Sequence, residues 1–322
     1  MSDFIFGQLG VDIIHFVQSF SNPVFNVFFI IITNFGNVPF YLVVIALIYW
    51  FVSKKMAAHL AAALIIFGYI TEVIKGFVGW KRPYQTYSSP EIKLIGPAPT
   101  GYSFPSGHSQ STGTFWPVLV HFCTDPRRRK VLIPLSIFFI IIIPFSRVYL
   151  GVHYPGDVTF GLLLGLVGAF LYIRYNQAVI DYFKKYDLSI LIVIIVVVSI
   201  VLALFEISAV LLGGNNLHTA EPGVLPGMFL GALVGFLLEQ KYLNFEQNPS
   251  LPIFYFSRII IGGIIVVILY AIPHFSLNIF TGDYFEILRH FVELTFVGLG
   301  IAFIGPYGFI KFEEYWLRRS KS

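Results

Sequence analysis

The stretch GYSFPSGHSQSTGTF, residues 101–115, lies between long apolar segments and opens one of them. A helix that only crosses a membrane needs no proline, glycine and histidine together at its start. A helix N-terminus does attract anions, because its first backbone N–H groups are free and its dipole is positive there. Ser106 and Gly107 occupy this position, and glycine lets a bound group approach the backbone closely. The stretch therefore predicts a helix that begins with a phosphate-binding site.

Composition places the chain among membrane proteins. Of its 322 residues, 57% are hydrophobic and 12% are charged, and the mean hydropathy is +0.79. A soluble domain carries about 25% charged residues, and apolar segments recur here at lengths near the roughly 20 residues that cross a bilayer. We therefore predict an all-α, polytopic membrane helical bundle. The N-terminal residues are acidic and lack a small-residue cleavage site, so we expect no cleaved signal peptide.

The predicted bundle has nine transmembrane helices in three segments. Residues 1–37 form an N-terminal interfacial or re-entrant segment, with an amphipathic helix over 8–21 and an apolar piece, 24–33, too short to span alone. Residues 38–180 form the core, and 181–322 form a C-terminal transmembrane extension of the same bundle. The spans cover about residues 38–53, 56–76, 107–124, 131–149, 154–175, 188–212, 222–240, 255–273 and 287–311.

The distribution of Lys and Arg predicts the orientation of the chain. With the N-terminus outside, fifteen of the 21 basic residues fall on the inner side, in agreement with the positive-inside rule. This asymmetry also accounts for the net charge of +4, so no nucleic-acid partner is expected. The six that fall outside are Lys75, Lys81, Arg82, Lys93, Arg147 and Arg289.

Three short segments carry polar residues that the composition does not explain. They are KGFVGWKRP at residues 75–83, PSGH at 105–108 and SRVYLGVHYPGD at 146–157. In the predicted topology the four helix ends that bear these segments lie at one membrane face, the outer one. They bring three cations, two histidines and a carboxylate together. Because charged groups near hydrocarbon are costly, this grouping indicates a functional site.

The pattern K-x6-RP, PSGH and SR-x5-H-x3-D resembles the three-part signature of the type 2 phosphatidic acid phosphatase (PAP2) superfamily, and all its characteristic positions are filled. In layout the chain is similar to the sphingosine-1-phosphate phosphatase and glucose-6-phosphatase branches. The resemblance implies that His153 is the nucleophile, that His108 is the general acid, and that Asp157 fixes the His153 tautomer. The predicted phosphate ligands are Lys75, Arg82, Ser106, Gly107 and Arg147.

The predicted function is a metal-independent membrane phosphatase that hydrolyses a phosphorylated lipid, a phosphomonoester or a pyrophosphate, at the non-cytoplasmic face through a phosphohistidine. No metal ligand pattern, such as DxD or HExxH, occurs in the chain, and no cofactor is expected. The expected partners are the lipid bilayer and the lipid substrate. Two alternatives stay open: a glucose-6-phosphatase-like hydrolase of a soluble sugar phosphate, and a phosphotransferase with a lipid or sugar acceptor. The complete set of signature residues argues against a transporter or scaffold with an inactive fold, and the spans argue against a haloperoxidase.

Further polar residues and glycines lie outside the signature. For some the sequence predicts one role, and for others it leaves two roles open. Glu72 is one turn before Lys75 and is expected to pair with it. Solvation is favoured for His218 and Glu221 over contact with a head group. Close helix packing is predicted at two sets of glycines, Gly161 with Gly165, and Gly227 with Gly231 and Gly235. Two roles are equally open for four further side chains, which either line the pocket or hydrogen-bond between helices: Ser103, Gln110, Ser111 and Thr112.

Overall fold

The computed structural model describes residues 7–87, 91–211 and 223–319, and within these ranges it contains helices and no strand. Residues His218 and Glu221 lie outside them. The α-helices are α1 Gln8–Gln18, α2 Pro23–Asn34, α3 Val38–Phe51, α4 Lys54–Val78, α5 Pro83–Thr86, α6 Gly107–Phe122, α7 Pro126–Tyr149, α8 Pro155–Phe183, α9 Leu188–Leu211, α10 Val224–Leu238, α11 Pro252–Leu277, α12 Asp283–Leu299 and α13 Gly305–Arg319. Two π-helical turns, Glu239–Leu243 and Gly300–Ile304, follow α10 and α12.

The predicted polytopic helical membrane bundle is confirmed, but the number of spans differs. Within the described ranges seven helical stretches are long and apolar enough to cross a membrane, or eight if α1 and α2 together make one span. The other two predicted spans are α3, with 14 residues, and α6, with 16. At 1.5 Å per residue these helices are about 21 and 24 Å long, shorter than a hydrocarbon core of about 30 Å. The count of nine is therefore only approximate.

The N-terminal segment is a bent pair of helices. The predicted amphipathic helix is α1, and the short apolar piece is α2, which turns away from α1 by 118°. Asn22 starts α2, since its side chain accepts a hydrogen bond from Phe25 N–H, and Pro23 takes the first helical position. The angle is that of a broken span or a re-entrant loop.

The described helices belong to two compact units. The first unit contains α1, α2, residues 38–43 of α3, α4 from Ile66 onward, α5, α6, α7, and α8 as far as Asn176. The second unit contains the remaining parts of α3, α4 and α8 together with α9 to α13. All residues of the predicted site fall in the first unit. The division into residues 1–37, 38–180 and 181–322 stays a prediction.

In the first unit, α8 packs closely against the start of α6, as the glycines predicted. A Cβ atom on Gly161 would collide with the backbone of Ser106, and one on Gly165 would collide with Gln110 O. The approach also allows two hydrogen bonds: Ser106 N–H donates to Asp157 O at 3.1 Å, and Thr114 Oγ1 donates to Gly165 O at 3.2 Å. The backbone contact fixes where α6 begins relative to α8.

The second unit has a glycine seam of the same kind and a buried ion pair. Cβ atoms on Gly227 and Gly231 of α10 would collide with backbone carbonyls of α12, so the predicted packing is confirmed there too. Glu239, fully buried, accepts from Lys54 Nζ at 3.0 Å and from Phe245 N–H at 2.8 Å. Because the carboxylate is paired and hydrogen-bonded, its burial is tolerated.

Substitution of Gly165 by alanine should destabilise the protein, because the added methyl group has no room beside Gln110 O and the Gly113 Cα atom. The expected loss is about 1–3 kcal/mol of unfolding free energy, the range for overpacking. The measurement is the thermal denaturation midpoint in detergent. Gly263→Ala in α11 is the matched control, since a Cβ there meets nothing within 4 Å, and alanine favours a helix. Equal midpoints for the two variants would contradict the close contact.

Candidate active site

Ser106 is the N-cap residue of α6. Its backbone is extended, and its Oγ accepts hydrogen bonds from Ser109 N–H at 3.4 Å and from Ser109 Oγ at 3.0 Å, which caps the helix. The residues before it are also fixed, because Ser103 N–H donates to Trp80 O at 2.8 Å. The first turn of α6, which begins at Gly107, therefore has a defined direction.

His153 lies in the short connection between α7 and α8 and is 2% exposed. The connection turns at Gly151, whose φ of +72° favours glycine. Arg82 Nη1, which can only donate, lies 2.9 Å from His153 Nε2. Nε2 is therefore the acceptor, and the ring proton is on Nδ1, 3.3 Å from Asp157 Oδ2. This tautomer leaves the lone pair of His153 on Nε2.

Asp157 is fully buried in the first turn of α8. Its Oδ2 atom accepts hydrogen bonds from the Ser103 hydroxyl and from Tyr154 N–H, the latter at 2.9 Å, as well as facing His153 Nδ1. Its Oδ1 atom finds no partner among the described residues. Three donors converging on Oδ2 hold the carboxylate in one orientation and, through it, the imidazole ring.

Arg82 is held mostly by backbone carbonyls. Its Nε donates to Gly101 O at 2.9 Å, its Nη2 to Thr100 O at 2.7 Å, and its Nη1 to Val152 O at 3.1 Å, in addition to His153. The guanidinium is 3% exposed. Four of its five N–H donors are thus used within the protein, so Arg82 connects the 100–101 segment to the α7–α8 connection.

Lys75 lies beside the first residue of α6. Its Nζ atom pairs with Glu72 Oε1 at 2.7 Å, which confirms the predicted pairing. A Cβ atom on Gly107 would lie 3.7 Å from Nζ and 4.0 Å from the same carboxylate oxygen. Because Gly107 carries no side chain, nothing at that position stands between the Lys75 ammonium and the α6 backbone.

Arg147 and His108 are less constrained. Arg147 is 5% exposed, and its Nη1 donates to Thr33 Oγ1 at 2.7 Å. In the part of the chain that the structure describes, Arg147 Nε and His108 Nε2 are buried nitrogens without a hydrogen-bond partner. His108 also lies against the turn that follows α2, because a Cβ on Gly36 would be 3.0 Å from its Cδ2 atom. These nitrogens are available to a ligand.

The electrostatic environment keeps His153 neutral. Burial lowers its pKa well below the usual range of about 6.5. The positive charges of Arg82 and Arg147 act in the same direction, with smaller contributions from His108 and Lys75. A neutral ring with its lone pair on Nε2 is the form of histidine that can act as a nucleophile.

The structure brings all eight predicted site residues together in the first unit. Contacts link Arg82, His153, Asp157 and Ser106, while Lys75 lies beside Gly107, and Arg147 and His108 act electrostatically on His153. Their catalytic and binding roles stay predictions. Among the described residues no three His, Cys, Asp or Glu side chains are grouped as metal ligands would be.

The four residues for which the sequence left two roles open do not all have the same role in the structure. Ser103 belongs to the site, through its bond to Asp157. Ser111 lies beside the site, because its hydroxyl contacts His108 O and Gly36 O, each at 3.3 Å. Gln110 and Thr112 bond elsewhere, to Thr114 and to Tyr41. Sequence reasoning missed Thr33, Gly36 and the carbonyls of Thr100 and Gly101. The one available signal was Thr33 itself, a polar side chain at the end of the apolar run FFIII.

Two family models match separate parts of the chain. The PAP2 superfamily model matches residues 56–181, and the model described as PAP2 superfamily phosphatase, transmembrane extension, matches residues 224–315. The first range includes every residue of the predicted site, and the two together take in about two thirds of the chain. The chain belongs to the PAP2 superfamily, and it is an integral membrane protein with several spans.

Known proteins resemble the chain over most of its length. Lipid phosphate phosphatase delta of Arabidopsis thaliana is 24% identical over 274 residues, which is 79% of this chain and 63% of that protein. Sphingosine-1-phosphate phosphatase 1 of Mus musculus is 25% identical over 73% of this chain and 56% of its own length. The chain thus spans less than two thirds of these relatives. The crystal structure of Aquifex aeolicus LpxE has a TM-score of 0.45 at 21% identity, and covers 53% of this chain and 99% of that one.

His153 should remain unprotonated when the pH is lowered from 7.5 to 6, because burial and neighbouring cations depress its pKa. The measurement is the ring ¹⁵N chemical shifts of histidine-labelled protein in phosphate-free detergent solution, with His153→Gln to assign the resonance. The two nitrogens should keep the separate shifts of a neutral imidazole over this range. Merging of the two shifts near pH 6.5 would show an ordinary histidine and contradict the environment described for the ring.

Proposed function

We propose that this protein is a metal-independent membrane phosphatase that hydrolyses a phosphorylated lipid through a phosphohistidine intermediate. The observation that carries the proposal is the buried chain from Arg82 through His153 to Asp157, with the lone pair of His153 on Nε2. Around this chain lie the N-terminus of α6 and two further cations, Lys75 and Arg147. A neutral nucleophile within a cationic, buried cluster suits attack on a phosphoryl group.

The first chemical step forms a bond between His153 Nε2 and phosphorus and breaks the bond between phosphorus and the leaving oxygen. Before the reaction, Arg82 Nη1 donates a hydrogen bond to Nε2. As the bond between Nε2 and phosphorus forms, this N–H donates to a phosphoryl oxygen instead. Asp157 receives the hydrogen bond of Nδ1–H and stabilises the cationic ring of the phosphohistidine. His108, the general acid, gives its proton to the leaving alkoxide.

The second step returns the enzyme to its starting form. His108, now neutral, removes a proton from water, and the resulting oxygen attacks phosphorus. The bond between phosphorus and Nε2 breaks, inorganic phosphate leaves, and His108 carries the proton needed for the next cycle. The same residue therefore serves as acid in one step and as base in the other.

Charge on the phosphoryl oxygens is balanced by residues from three segments of the first unit. Lys75 and Arg147 supply cations, and Gly107 supplies a backbone N–H group at the start of α6. The N–H of Ser106 already donates to Asp157 O, so Ser106 acts by capping the helix. Arg147 Nε has no hydrogen-bond partner among the described residues, so the guanidinium can donate from this edge to a phosphoryl oxygen. Fixed charges in a buried site stabilise a transition state strongly, because little reorganisation is needed.

A phosphorylated lipid is the substrate class that the chain best supports. Three of the helices that bear the site, α4, α7 and α8, are long and apolar enough to cross a membrane. The relatives aligned over 79% and 73% of the chain are named for a lipid phosphate and for sphingosine-1-phosphate. A water-soluble sugar phosphate and transfer to an alcohol acceptor are the competing outcomes of the experiment below.

Purified protein should release phosphate from a lipid phosphate in EDTA, and His153→Ala should reduce the rate by about a thousandfold, because the group that forms the covalent intermediate is removed. The substrates are phosphatidic acid, sphingosine-1-phosphate, an isoprenyl pyrophosphate and glucose-6-phosphate, each in detergent micelles or solution. Released phosphate is measured directly. The matched control is His121→Ala, at the exposed far end of α6.

Each outcome of that panel has a meaning. Release that survives in His153→Ala would overturn the nucleophile assignment. Preference for glucose-6-phosphate would overturn the lipid substrate. Release that appears only with a metal would overturn the metal-independent mechanism, and release of the alcohol without free phosphate, in the presence of an acceptor, would identify a phosphotransferase.

We further propose that the site faces the non-cytoplasmic side, from the distribution of basic residues. The single cysteine, buried Cys123, can be replaced by serine to give a background without reactive thiols. In that background Lys93→Cys should react with an impermeant maleimide on intact cells, and Lys185→Cys should react only after permeabilisation. Both side chains are exposed. The reverse pattern would place the site on the cytoplasmic side.

A further inference from the structure

The bent pair formed by α1 and α2, together with the residues just after it, contacts two of the site residues. This part of the chain precedes the region that the PAP2 superfamily model matches, residues 56–181. Thr33 contacts Arg147, and Gly36, just after α2, lies against His108. Ser111 of α6 also donates to Gly36 O at 3.3 Å. The end of α2 therefore forms part of the wall of the site.

The contact between Thr33 and Arg147 is buried and specific. Thr33 is 8% exposed and Arg147 is 5% exposed. Thr33 Oγ1 accepts from Arg147 Nη1 at 2.7 Å, across 114 residues of sequence. A donor and an acceptor at this distance, one of them charged, make a strong hydrogen bond.

Three further contacts hold the bent pair of α1 and α2 against the end of α7, where Arg147 lies. Tyr149 OH donates to Asn26 Oδ1 at 2.7 Å, and the Tyr149 and Phe29 rings are 4.3 Å apart. Gln18, at the end of α1, donates to Tyr149 O at 3.0 Å and to Lys93 O at 2.7 Å. Because both helices of the pair are tied to the same turn of α7, Thr33 has a fixed place from which to act on Arg147.

We propose that Thr33 is a positioning residue that turns the Arg147 guanidinium so that its Nε edge faces the phosphate of the substrate. This inference rests on the phosphatase proposed above. A guanidinium has two edges, and the edge with Nε can give two parallel N–H bonds to an anion. Thr33 occupies Nη1, and Nε has no partner among the described residues. The hydroxyl thus selects which edge is presented.

Without the hydroxyl, the guanidinium loses this hydrogen bond. Its Nη1 then either stays unsatisfied in a buried place or turns toward the phosphate site, and in each case the Nε edge is no longer held. Valine has the shape of threonine without its hydroxyl, so Thr33→Val keeps the packing of α2 and removes only the bond. Thr33→Ser keeps the hydroxyl and removes only the methyl group.

The experiment measures phosphate affinity and turnover in the full-length protein in detergent. Thr33→Val should raise both KM and the inhibition constant of inorganic phosphate about tenfold, the scale of one hydrogen bond to a charged group. The midpoint of thermal denaturation without phosphate should fall only modestly, by the cost of one lost hydrogen bond. Thr33→Ser should restore both constants to within about twofold of the wild type. A matched control is Thr71→Val in α4, whose buried hydroxyl donates only to Phe67 O of its own helix.

A double-mutant cycle with Arg147→Met tests whether Thr33 acts through Arg147. In that background Thr33→Val should change the phosphate affinity less than twofold, since the group that it positions is gone. A tenfold effect that persists there would overturn the inference. Wild-type affinity in Thr33→Val would overturn it as well, as would equal losses in Thr33→Val, Thr33→Ser and Thr71→Val, which would indicate a packing effect.

Binding of inorganic phosphate, followed by the shift in thermal denaturation, separates this inference from the proposed function. Wild-type protein that binds phosphate but hydrolyses none of the substrates would overturn the phosphatase and leave the role of Thr33 to be decided by the affinities. Wild-type protein that binds no phosphate would overturn the inference about Thr33. Hydrolysis with an unchanged affinity in Thr33→Val would overturn the role of Thr33 alone.

Discussion

The site depends on one backbone hydrogen bond, from Ser106 N–H at the start of α6 to Asp157 O in the first turn of α8. It can form because Gly161 carries no side chain to keep the helices apart. The bond joins the part of the chain that offers free N–H groups to the part that holds His153. Two functions, anion binding and orientation of the nucleophile, are thus set by one contact between rigid elements, which side-chain motion cannot loosen.

Much of the site was predictable from the sequence, because its residues occur in three segments that each sit at a helix end. Hydropathy also predicted the class of fold. It did not predict the lengths of α3 and α6, since an apolar window continues past the residue where a helix stops. In α6, Ser106 caps the start, and the helix ends at Phe122, before Cys123.

The contacts that were not predictable have two physical causes. Thr33 meets Arg147 across 114 residues, and local pattern carries no information about such a pairing. Thr100 and Gly101 act through backbone carbonyls, which every residue has, so their identity gives no signal. Ser103 falls between these cases, because it lies two residues before the PSGH motif but acts on Asp157, 54 residues away.

Arg82 uses four of its five N–H donors within the protein, so it has a structural role as well as a proposed catalytic one. An arginine at this position of the motif is therefore not by itself a sign of activity. Three carbonyls from two separate segments depend on this one side chain for their hydrogen-bond donors. Any descendant of such a protein that abandoned catalysis would still need arginine there to keep its fold. Evolutionary retention at this position therefore reports on the architecture. Retention at Lys75, whose ammonium bonds to the Glu72 carboxylate and to no backbone group among the described residues, reports more directly on chemistry.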